Sequence, residues 1–583
     1  MPRAFRLPLF VVALLALGAC APGAPGPAGQ TSGESTTPAG GEPRRTLTIS
    51  VRVEPQTIAN KALQQAGVTL ETSKRLFNAN VALLDNKGGW HPYLVEALPE
   101  LNTASWQVAA DGQMITTFHL QPNLVWHDGT PLAAEDFVFA WQVYATSDLG
   151  QSSSPPLSLI AEVSAPDTRT VVVRWQRPFA QASTLGAGTG GSSGELGPLP
   201  RHILENAFRE AAREGTYEPF VAHGFWNREF VGLGPFKLDR WEPGSFIEGV
   251  AFDRHVLGRP KIERVKFVFL PDANVTLASL LSGDVHFAAD DSIRLEQTLV
   301  LRQEWGPRGG GSILSKPSLW RGSYFQLRPE LATPRAVLDL RVRRAFAHAV
   351  DRQGLNDGLF QGHNILGDTI VPPAVDYYAE IERVMTKYPF DVRRTDQLMR
   401  EAGFTRTGDG PYGGPDGRPV TFAITTNAAT QQEQEQAILG SGWRNAGFDI
   451  QESILPAAQA QDSQVRASFP SIFSFSGPQG ADALSRITST AIPRPENRWS
   501  GNNRGGWTNA DFDRAADLYS VALEPRDRVQ HVVQMVKLFT EEAPAISLYF
   551  NAIPIAFASA VQGPRESVPE ADWTWNVYEW EFR

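Results

Sequence analysis

Side chains that could carry covalent or metal chemistry are sparse in this sequence of 583 residues. Cys20 is its one cysteine, so a thiolate nucleophile or a cysteine-bound zinc cluster elsewhere in the chain is excluded. The ten histidines are scattered, and no two have the spacing by which a helix presents a pair of metal ligands. Residues 186–194 match a phosphate-binding loop and a nucleophile elbow by letter, but they lead into Gly197, Pro198 and Pro200, so we interpret them as a loop. The sequence therefore predicts no metal, no cofactor and no enzymatic activity.

The first twenty residues have the pattern of an export signal. Arg3 and Arg6 precede an apolar run over residues 7–17, which is too short to span a bilayer. The run ends in Leu-Gly-Ala before Cys20, and these four residues resemble the bacterial lipobox, in which the cysteine receives a lipid. We therefore predict a lipoprotein signal peptide over residues 1–19 and a lipid anchor on Cys20; a plain signal peptide with an incidental thiol is the alternative. Residues 20–45, rich in Pro and Gly, predict a disordered tether.

Charge and length limit the classes of function. The 53 basic and 63 acidic residues give a formal net charge of −10, whereas nucleic-acid-binding surfaces need a strong positive field. The composition, 42% hydrophobic and 20% charged, is typical of a soluble globular protein. A chain of this length is too long for one compact core, so two or more lobes are expected.

Alternating apolar residues predict strands, and apolar residues with helical spacing predict the helices between them. The predicted strands are Leu47–Val51, Thr170–Trp175, Lys266–Leu270, Ser323–Leu327, Val420–Thr425 and Ile546–Phe550. Two helices are clear, Asp339–Val350 with Asp339 as its N-cap, and Arg528–Thr540. Strands and helices mix without strict alternation, which indicates an α/β or α+β protein.

Five separated segments carry a resemblance to a known family. They are Thr117–Val138, which contains Trp-His-Asp-Gly-Thr-Pro, then Leu199–Leu204, Gly232–Leu238, Leu338–Arg352 and Trp507–Asp513. In this order they resemble the bacterial extracellular solute-binding proteins of family 5, the oligopeptide-, dipeptide- and nickel-binding lipoproteins of ABC importers. Ala133 stands where the family usually has Thr or Ser, so we expect the next helix to lack a capping side chain.

The resemblance implies an α/β architecture, the two-lobed periplasmic-binding-protein-like fold with an extra subdomain inserted in lobe I. Lobe I would consist of residues 46–80, 196–312 and 548–583. The inserted subdomain would cover residues 81–195, and lobe II would cover residues 313–547.

The resemblance also implies which residues line the cleft. One wall would come from the strand that enters lobe II, and a second from the segment around Phe473. In peptide-binding members this second segment carries a Trp and, three residues later, an Asp that pairs with the ligand's α-amine; here the matching residues are Phe473 and Ser476. Asn78 and Asn80 stand where some peptide binders have a Glu. The complete set of predicted ligand-binding residues is Asn78, Asn80, Trp320, Arg321, Tyr324, Gln326, Phe473, Phe475, Ser476 and Trp507.

The function implied is that of a monomeric substrate-binding lipoprotein that captures a small solute between two lobes and delivers it to the permease of an ABC importer. It would lie outside the cytoplasm, in the periplasm or on the outer face of the cell membrane. Peptides are the family's commonest ligands, but neutral groups in place of two carboxylates favour an uncharged solute such as an oligosaccharide. The alternative is that a distant carboxylate, such as Asp482, supplies the anion for a peptide's amine. Two other functions remain open: an envelope sensor or chaperone without transport, and a surface-anchored hydrolase, for which the sequence offers no credible nucleophile.

Overall fold

The computed structural model describes residues 46–583 except 62, 64–70, 150–151, 153–154, 187–194 and 461. The predictions for the signal peptide, Cys20 and the tether lie outside the described residues, as does almost all of the Gly-rich stretch 186–194. Residues 45–583 form one compact unit.

Strands are spread along the whole described chain. In chain order they are β1 Thr46–Val51, β2 Ala82–Leu84, β3 Trp90–Pro92, β4 Trp106–Val108, β5 Met114–His119, β6 Ile160–Asp167, β7 Thr170–Trp175, β8 Phe236–Glu242, β9 Phe246–Ala251, β10 Arg264–Phe269, β11 Phe287–Ala288, β12 Gly311–Phe325, β13 Ile365–Leu366, β14 Thr421–Asn427, β15 Asp449–Leu455, β16 Ile472–Gly477, β17 Ala545–Ala558, β18 Val561–Gln562 and β19 Glu581–Phe582.

Helices connect most of these strands. They are α1 Glu71–Phe77, α2 Ala134–Ala145, α3 Arg201–Glu214, α4 Glu218–Val221, α5 Ala273–Ser282, α6 Leu295–Trp305, α7 Leu340–His348, α8 Arg352–Phe360, α9 Tyr378–Glu382, α10 Val392–Glu401, α11 Thr430–Asn445, α12 Ala457–Ala460, α13 Ser463–Ala467, α14 Ala481–Ser485, α15 Ala510–Val521 and α16 Pro525–Glu542.

One long sheet runs through the molecule in the order β15-β14-β16-β12-β17-β11-β1-β10-β9-β8, and β13 pairs with β17 beside this path. A separate sheet, β4-β5-β7-β6, lies within residues 106–175. Its strands pair in antiparallel register, and α2 contributes buried residues to the same hydrophobic core.

The antiparallel pair β12/β17 lies in the middle of the long sheet and joins its two halves. Its first stretch pairs Gly311–Pro317 with residues 552–558, next to β11, and its second pairs Trp320–Tyr324 with residues 545–550, next to β16. The register shifts between Pro317 and Trp320, so the regular pairing is interrupted at this point. We call this pair the ribbon.

Hydrophobic cores lie on either side of this interruption. The first is built from residues 47–289 together with residues 555–580 and includes β1, β10 and the small sheet. Two more cores cover opposite faces of the β14-β16-β12-β17 end. One includes Phe346 and Trp443 of α7 and α11, and the other includes Phe512 and Phe539 of α15 and α16.

The predicted elements correspond closely to the observed ones. β7 spans the predicted Thr170–Trp175, and Asp339 caps α7, because its carboxylate accepts a hydrogen bond from the backbone N–H of Arg341 at 2.8 Å. Ala133 provides no side-chain cap for α2, as expected. Asp136 instead accepts from the backbone N–H of Ala133 at 3.0 Å, which supplies the other half of a capping box.

Three of the five sequence motifs meet around the turn that contains His127. The imidazole accepts at Nδ1 from the backbone N–H of Gly232 at 3.1 Å, and Nε2 lies 3.0 Å from the carbonyl of Gly234. Asp128 lies 2.7 Å from Nε2 of His202. His127 and Asp128 of this turn therefore connect three segments of the fold.

The cluster of arginines in the fourth motif has a structural role at the end of α16. Arg343 is buried and donates to the carbonyls of Glu542 at 2.9 Å and Ala543 at 3.1 Å, while Arg344 donates to Glu541 at 2.7 Å. These carbonyls have no partner within the helix, so the two cations satisfy groups that would otherwise be orphaned.

Candidate ligand-binding site

Four of the predicted site residues form one aromatic face on β12 and β16. The register pairs Trp320 with Gly477, Gly322 with Phe475 and Tyr324 with Phe473, which puts the four aromatic side chains on the same side of the sheet. We call Trp320, Tyr324, Phe473 and Phe475 the aromatic wall. The rings of Tyr324 and Phe475 stack with centroids 4.6 Å apart at 23°, and Trp320 meets Phe475 edge-on at 5.6 Å.

The aromatic wall is well covered by protein. Phe475 is 9% exposed and Tyr324 5% exposed, and both belong to the core that includes α15 and α16. Burial raises the pKa of Tyr324, although the positive charge of Arg504 opposes the shift. The wall is therefore a rigid support, and its exposed edge offers little area to a ligand.

Arg321 and Ser476 lie on the opposite face of the sheet, because the side chains of neighbouring strand residues alternate. Arg321 makes a bidentate ion pair with Glu435, with Nε and one terminal nitrogen each 3.0 Å from a carboxylate oxygen. The hydroxyl of Tyr549 donates to the same carboxylate at 2.6 Å. Burial alone would lower the pKa of Arg321, but the charge of Glu435, the nearby Tyr549 and the hydrogen bonds to both together raise that pKa. Arg321 is thus engaged inside the protein.

Gln326 and Trp507 are also engaged by other parts of the chain. The amide of Gln326, fully buried, donates to the carbonyl of Phe469 at 2.8 Å and accepts from Nε of Arg328 at 3.1 Å. The indole N–H of Trp507 donates to Glu542 at 2.7 Å. Both side chains brace the loops around the end of β12, and their predicted contact with ligand stays a prediction.

Asn78 and Asn80 are buried among polar side chains, and in the sequence they are far from the residues of the aromatic wall. Asn78 donates to the carbonyls of Ile58 at 2.7 Å and Lys74 at 2.9 Å, and Asn80 donates to Glu195 at 3.1 Å. Asn78 lines a small cavity whose other walls include Asn60, Lys61, Trp126 and Tyr144.

Two buried lysines accompany these asparagines, and the sequence did not point to them. Lys61 is 1% exposed, and burial lowers its pKa to about 8, with the charge of Lys74 acting in the same direction and that of Glu195 against it. Nζ of Lys74 is buried without a hydrogen-bond partner. Lysine is seldom buried, so only tertiary structure could have revealed these two side chains.

Comparison with known proteins identifies the family of this chain. The family model for bacterial extracellular solute-binding proteins, family 5 (middle), matches residues 96–492. The chain belongs to this family. A relative from Brucella ovis, described as a putative ABC transporter peptide-binding protein, is 26% identical over 308 residues, which is 52% of this chain. The chain spans about half, 51%, of the length of that relative. The oligopeptide-binding protein AppA of Bacillus subtilis is 23% identical over 486 residues, 81% of each chain.

The fold of this family 5 protein also matches solved structures. HbpA2 of Haemophilus parasuis superposes with a TM-score of 0.72 at 18% identity, covering 92% of this chain and 100% of HbpA2. The predicted two-lobed α/β fold is thereby confirmed. Within the described ranges, no helix has the length and apolar character needed to cross a bilayer, and no group of three or more His, Asp or Glu side chains could hold a metal ion.

A carboxylate that the predicted site lacked is carried by α14, whose Leu484 belongs to the same core as the aromatic wall of this family 5 protein. Asp482, in α14 just beyond β16, accepts from the hydroxyl of Tyr519 at 2.6 Å and is 43% exposed. Burial raises the pKa of Glu570, and the negative charges of Asp482 and Asp376 act in the same direction, so these three side chains lie within electrostatic range. We call Asp376, Asp482 and Glu570 the acidic group. Its members come from three distant parts of the chain, and no local pattern signals that they lie close together.

Proposed function

We propose that this chain is the solute receptor of an ABC importer, which encloses a peptide-like solute between two lobes and presents it to the permease. The match of the family model over residues 96–492 carries the proposal, because that range includes both the small sheet and the aromatic wall. The Brucella and Bacillus relatives are named as peptide-binding proteins and neither is named as an enzyme. We infer a non-enzymatic receptor that acts as a monomer.

The proposed lobes follow the predicted boundaries. Lobe I comprises residues 46–80, 196–312 and 548–583, with residues 81–195 as its insertion, and lobe II comprises residues 313–547. Support for this division comes from the register shift of the ribbon between Pro317 and Trp320, where regular pairing is interrupted. Rotation about such a point would change few hydrogen bonds and leave the cores on either side intact.

A peptide is favoured over an oligosaccharide by the acidic group. An ammonium group of the ligand that is enclosed by protein needs a paired anion. Without one, the loss of its hydration costs several kcal/mol. Ser476 and the two asparagines cannot supply that anion, whereas the carboxylate of Asp482, 3.8 Å from a terminal nitrogen of Arg528, is 43% exposed.

Calorimetry tests the ligand class directly. We expect di- to pentapeptides to bind, and N-acetylation of the same peptides to weaken binding about tenfold or more, the scale of a lost charge-assisted hydrogen bond. Asp482→Asn should remove most of this difference, while Asp517→Asn, a change at an exposed acid of α15, should leave it intact. Binding of oligosaccharides with no binding of peptides would overturn the assignment. Permease and ATPase genes beside this one would argue for transport over sensing.

Attachment to the membrane is proposed from the sequence of the export signal. Cys20 would carry the lipid and residues 20–45 would act as the tether. We expect Cys20→Ser to yield a soluble protein or an uncleaved precursor without fatty-acid label, because the hydroxyl cannot replace the thiol as the lipidated group. Membrane fractionation and fatty-acid labelling measure the anchoring, with Ser32→Ala as the control variant that should stay anchored. A Cys20→Ser protein that remains labelled in the membrane fraction would contradict the proposal.

A further inference from the structure

The cavity beside Asn78 is surrounded by an excess of positive charge. Lys61 lines it; burial lowers the pKa of this lysine to about 8, the charge of Glu195 raises it and that of Lys74 lowers it. Lys61 is 1% exposed and Lys74 6% exposed. Among the described groups whose charges act on Lys61, only Glu195 is negative, so one carboxylate faces two ammonium groups. Because a buried cation needs an accompanying anion, one further negative charge would balance the cavity.

Two hydrogen-bond donors in this region have no acceptor. Nζ of Lys74 and Nδ2 of Asn60 are buried, and neither has a hydrogen-bond partner among the described residues. Asn60 lines the cavity itself. The amide of Asn78 differs, because its Nδ2 donates to the carbonyls of Ile58 and Lys74. A buried donor without an acceptor is costly, so the two donors indicate an acceptor that the chain does not supply.

The glycine at position 197 allows the backbone to lie close to Asn60. A Cβ on Gly197 would lie 3.1 Å from Nδ2 of Asn60 and 3.6 Å from Nδ2 of Asn80, so a side chain would crowd both amides. Nδ2 of Asn80 donates to Glu195 at 3.1 Å. The carboxylate of Glu195 is thus engaged by Asn80, and the neighbouring amide of Asn60 keeps its donor for another acceptor.

The size and the walls of the cavity limit what this acceptor could be. Apart from the polar groups, the walls are apolar and aromatic, and they include Trp126, Tyr144, Leu199, Phe225 and Phe230. The space between them admits about one particle of the size of a water molecule. Carboxylates, phosphate and sulfate are too large for this space, whereas a halide ion fits. A water molecule would accept the hydrogen bonds but would leave the positive charge unbalanced.

We propose that this cavity is a chloride site, in which the ion accepts hydrogen bonds from Nζ of Lys74 and Nδ2 of Asn60. Chloride supplies the single negative charge and satisfies both donors at once. The ion joins the segment around Asn60 to α1, which carries Lys74, and so stabilises this part of the fold. Because neither residue belongs to the aromatic wall or to the acidic group, the site is independent of solute recognition.

Thermal unfolding in salts of matched ionic strength tests for the ion. Gluconate is too large for the cavity, so its replacement by chloride should raise the melting temperature by about 2 °C or more when chloride is in large excess over its dissociation constant. Lys74→Met removes the charge and a donor but keeps apolar length, and it should not respond to chloride. Lys87→Met, a change at an exposed lysine, should respond like the unaltered protein. A response that survives in Lys74→Met would overturn the inference.

A second variant tests the amide donor. Asn60→Ala should weaken the affinity for chloride about tenfold or more, the scale of a lost hydrogen bond to a charged group, which shifts the chloride dependence of the melting temperature to higher concentration. Asn502→Ala, a change at an exposed asparagine, should leave that dependence unchanged. An unchanged dependence in Asn60→Ala would show that its amide does not bind the ion. Circular dichroism of each variant verifies that its fold is intact.

Anomalous diffraction locates the ion directly, and it decides the question even if Lys74→Met does not fold. Crystals of the unaltered protein grown in bromide should show an anomalous peak within hydrogen-bonding distance of Nζ of Lys74 and Nδ2 of Asn60. If no peak appears there at saturating bromide, the cavity holds water and the chloride site is wrong.

Discussion

Replacement of Glu435 by alanine should lower the free energy of unfolding by about 3–5 kcal/mol, which is the usual cost of removing one partner of a buried ion pair. Both side chains are inaccessible, at 1% for Arg321 and 0% for Glu435. Removal of the carboxylate would leave the guanidinium charged, dehydrated and without its two hydrogen bonds. The hydroxyl of Tyr549 would lose its acceptor as well. Urea unfolding at neutral pH measures the effect.

Two controls separate the lost charge pair from lost packing. The double change Arg321→Met with Glu435→Leu removes both charges and keeps apolar volume, so it should cost far less than either single change. Arg418→Ala breaks a pair whose side chains are 87% and 64% exposed, and it should cost less than about 1 kcal/mol. A single change at Glu435 that costs no more than Arg418→Ala would contradict the assignment of this pair as a buried anchor.

Acidification from pH 7 to pH 5 should destabilise the protein by about 2 kcal/mol for each of two buried histidines, His127 and His255. Burial lowers the pKa of each to about 4. The unfolded chain therefore binds protons between pH 6.5 and 4 that the folded protein excludes, so stability falls as the pH falls through this window. At His127 the geometry gives the reason: protonation of Nδ1 would set an N–H against the N–H of Gly232.

Urea midpoints of His127→Gln at the two pH values isolate this contribution. The variant loses the titrating ring, so its stability should depend less steeply on pH than that of the unaltered protein, by about 2 kcal/mol over the interval. His363→Gln alters an exposed residue and should keep the full dependence. An unchanged dependence in His127→Gln would show that this ring does not titrate on unfolding.

Local patterns in the sequence predicted the elements well, because each depends on residues that are neighbours in the chain. Alternation in Thr170–Trp175 located β7, and the carboxylate of Asp339 capped α7 as expected. The order of the five motifs identified the family, and His127 illustrates why they occur together: it hydrogen-bonds a second motif directly.

The predicted site was less accessible to sequence reasoning, because its residues depend on register and on distant loops. Trp320 and Arg321 are adjacent, yet one joins the aromatic wall and the other the ion pair on the opposite face. Lys61 precedes α1, Lys74 lies within it and Glu195 follows β7, and no periodicity in these segments would bring the three together. Their proximity depends on the tertiary fold, in which the charges of Lys74 and Glu195 both act on Lys61.

The position of β17 has a consequence for the order in which the molecule can fold. This strand lies between β11 and β12 in the long sheet, although in chain order it follows every other strand of that sheet. Neither end of the sheet can gain its full complement of hydrogen bonds until residues 545–558 emerge, and pairings between such distant segments form slowly. The long sheet of a nascent chain therefore stays incomplete until β17 has been synthesised, and a chain in that state is one that an export channel can still thread.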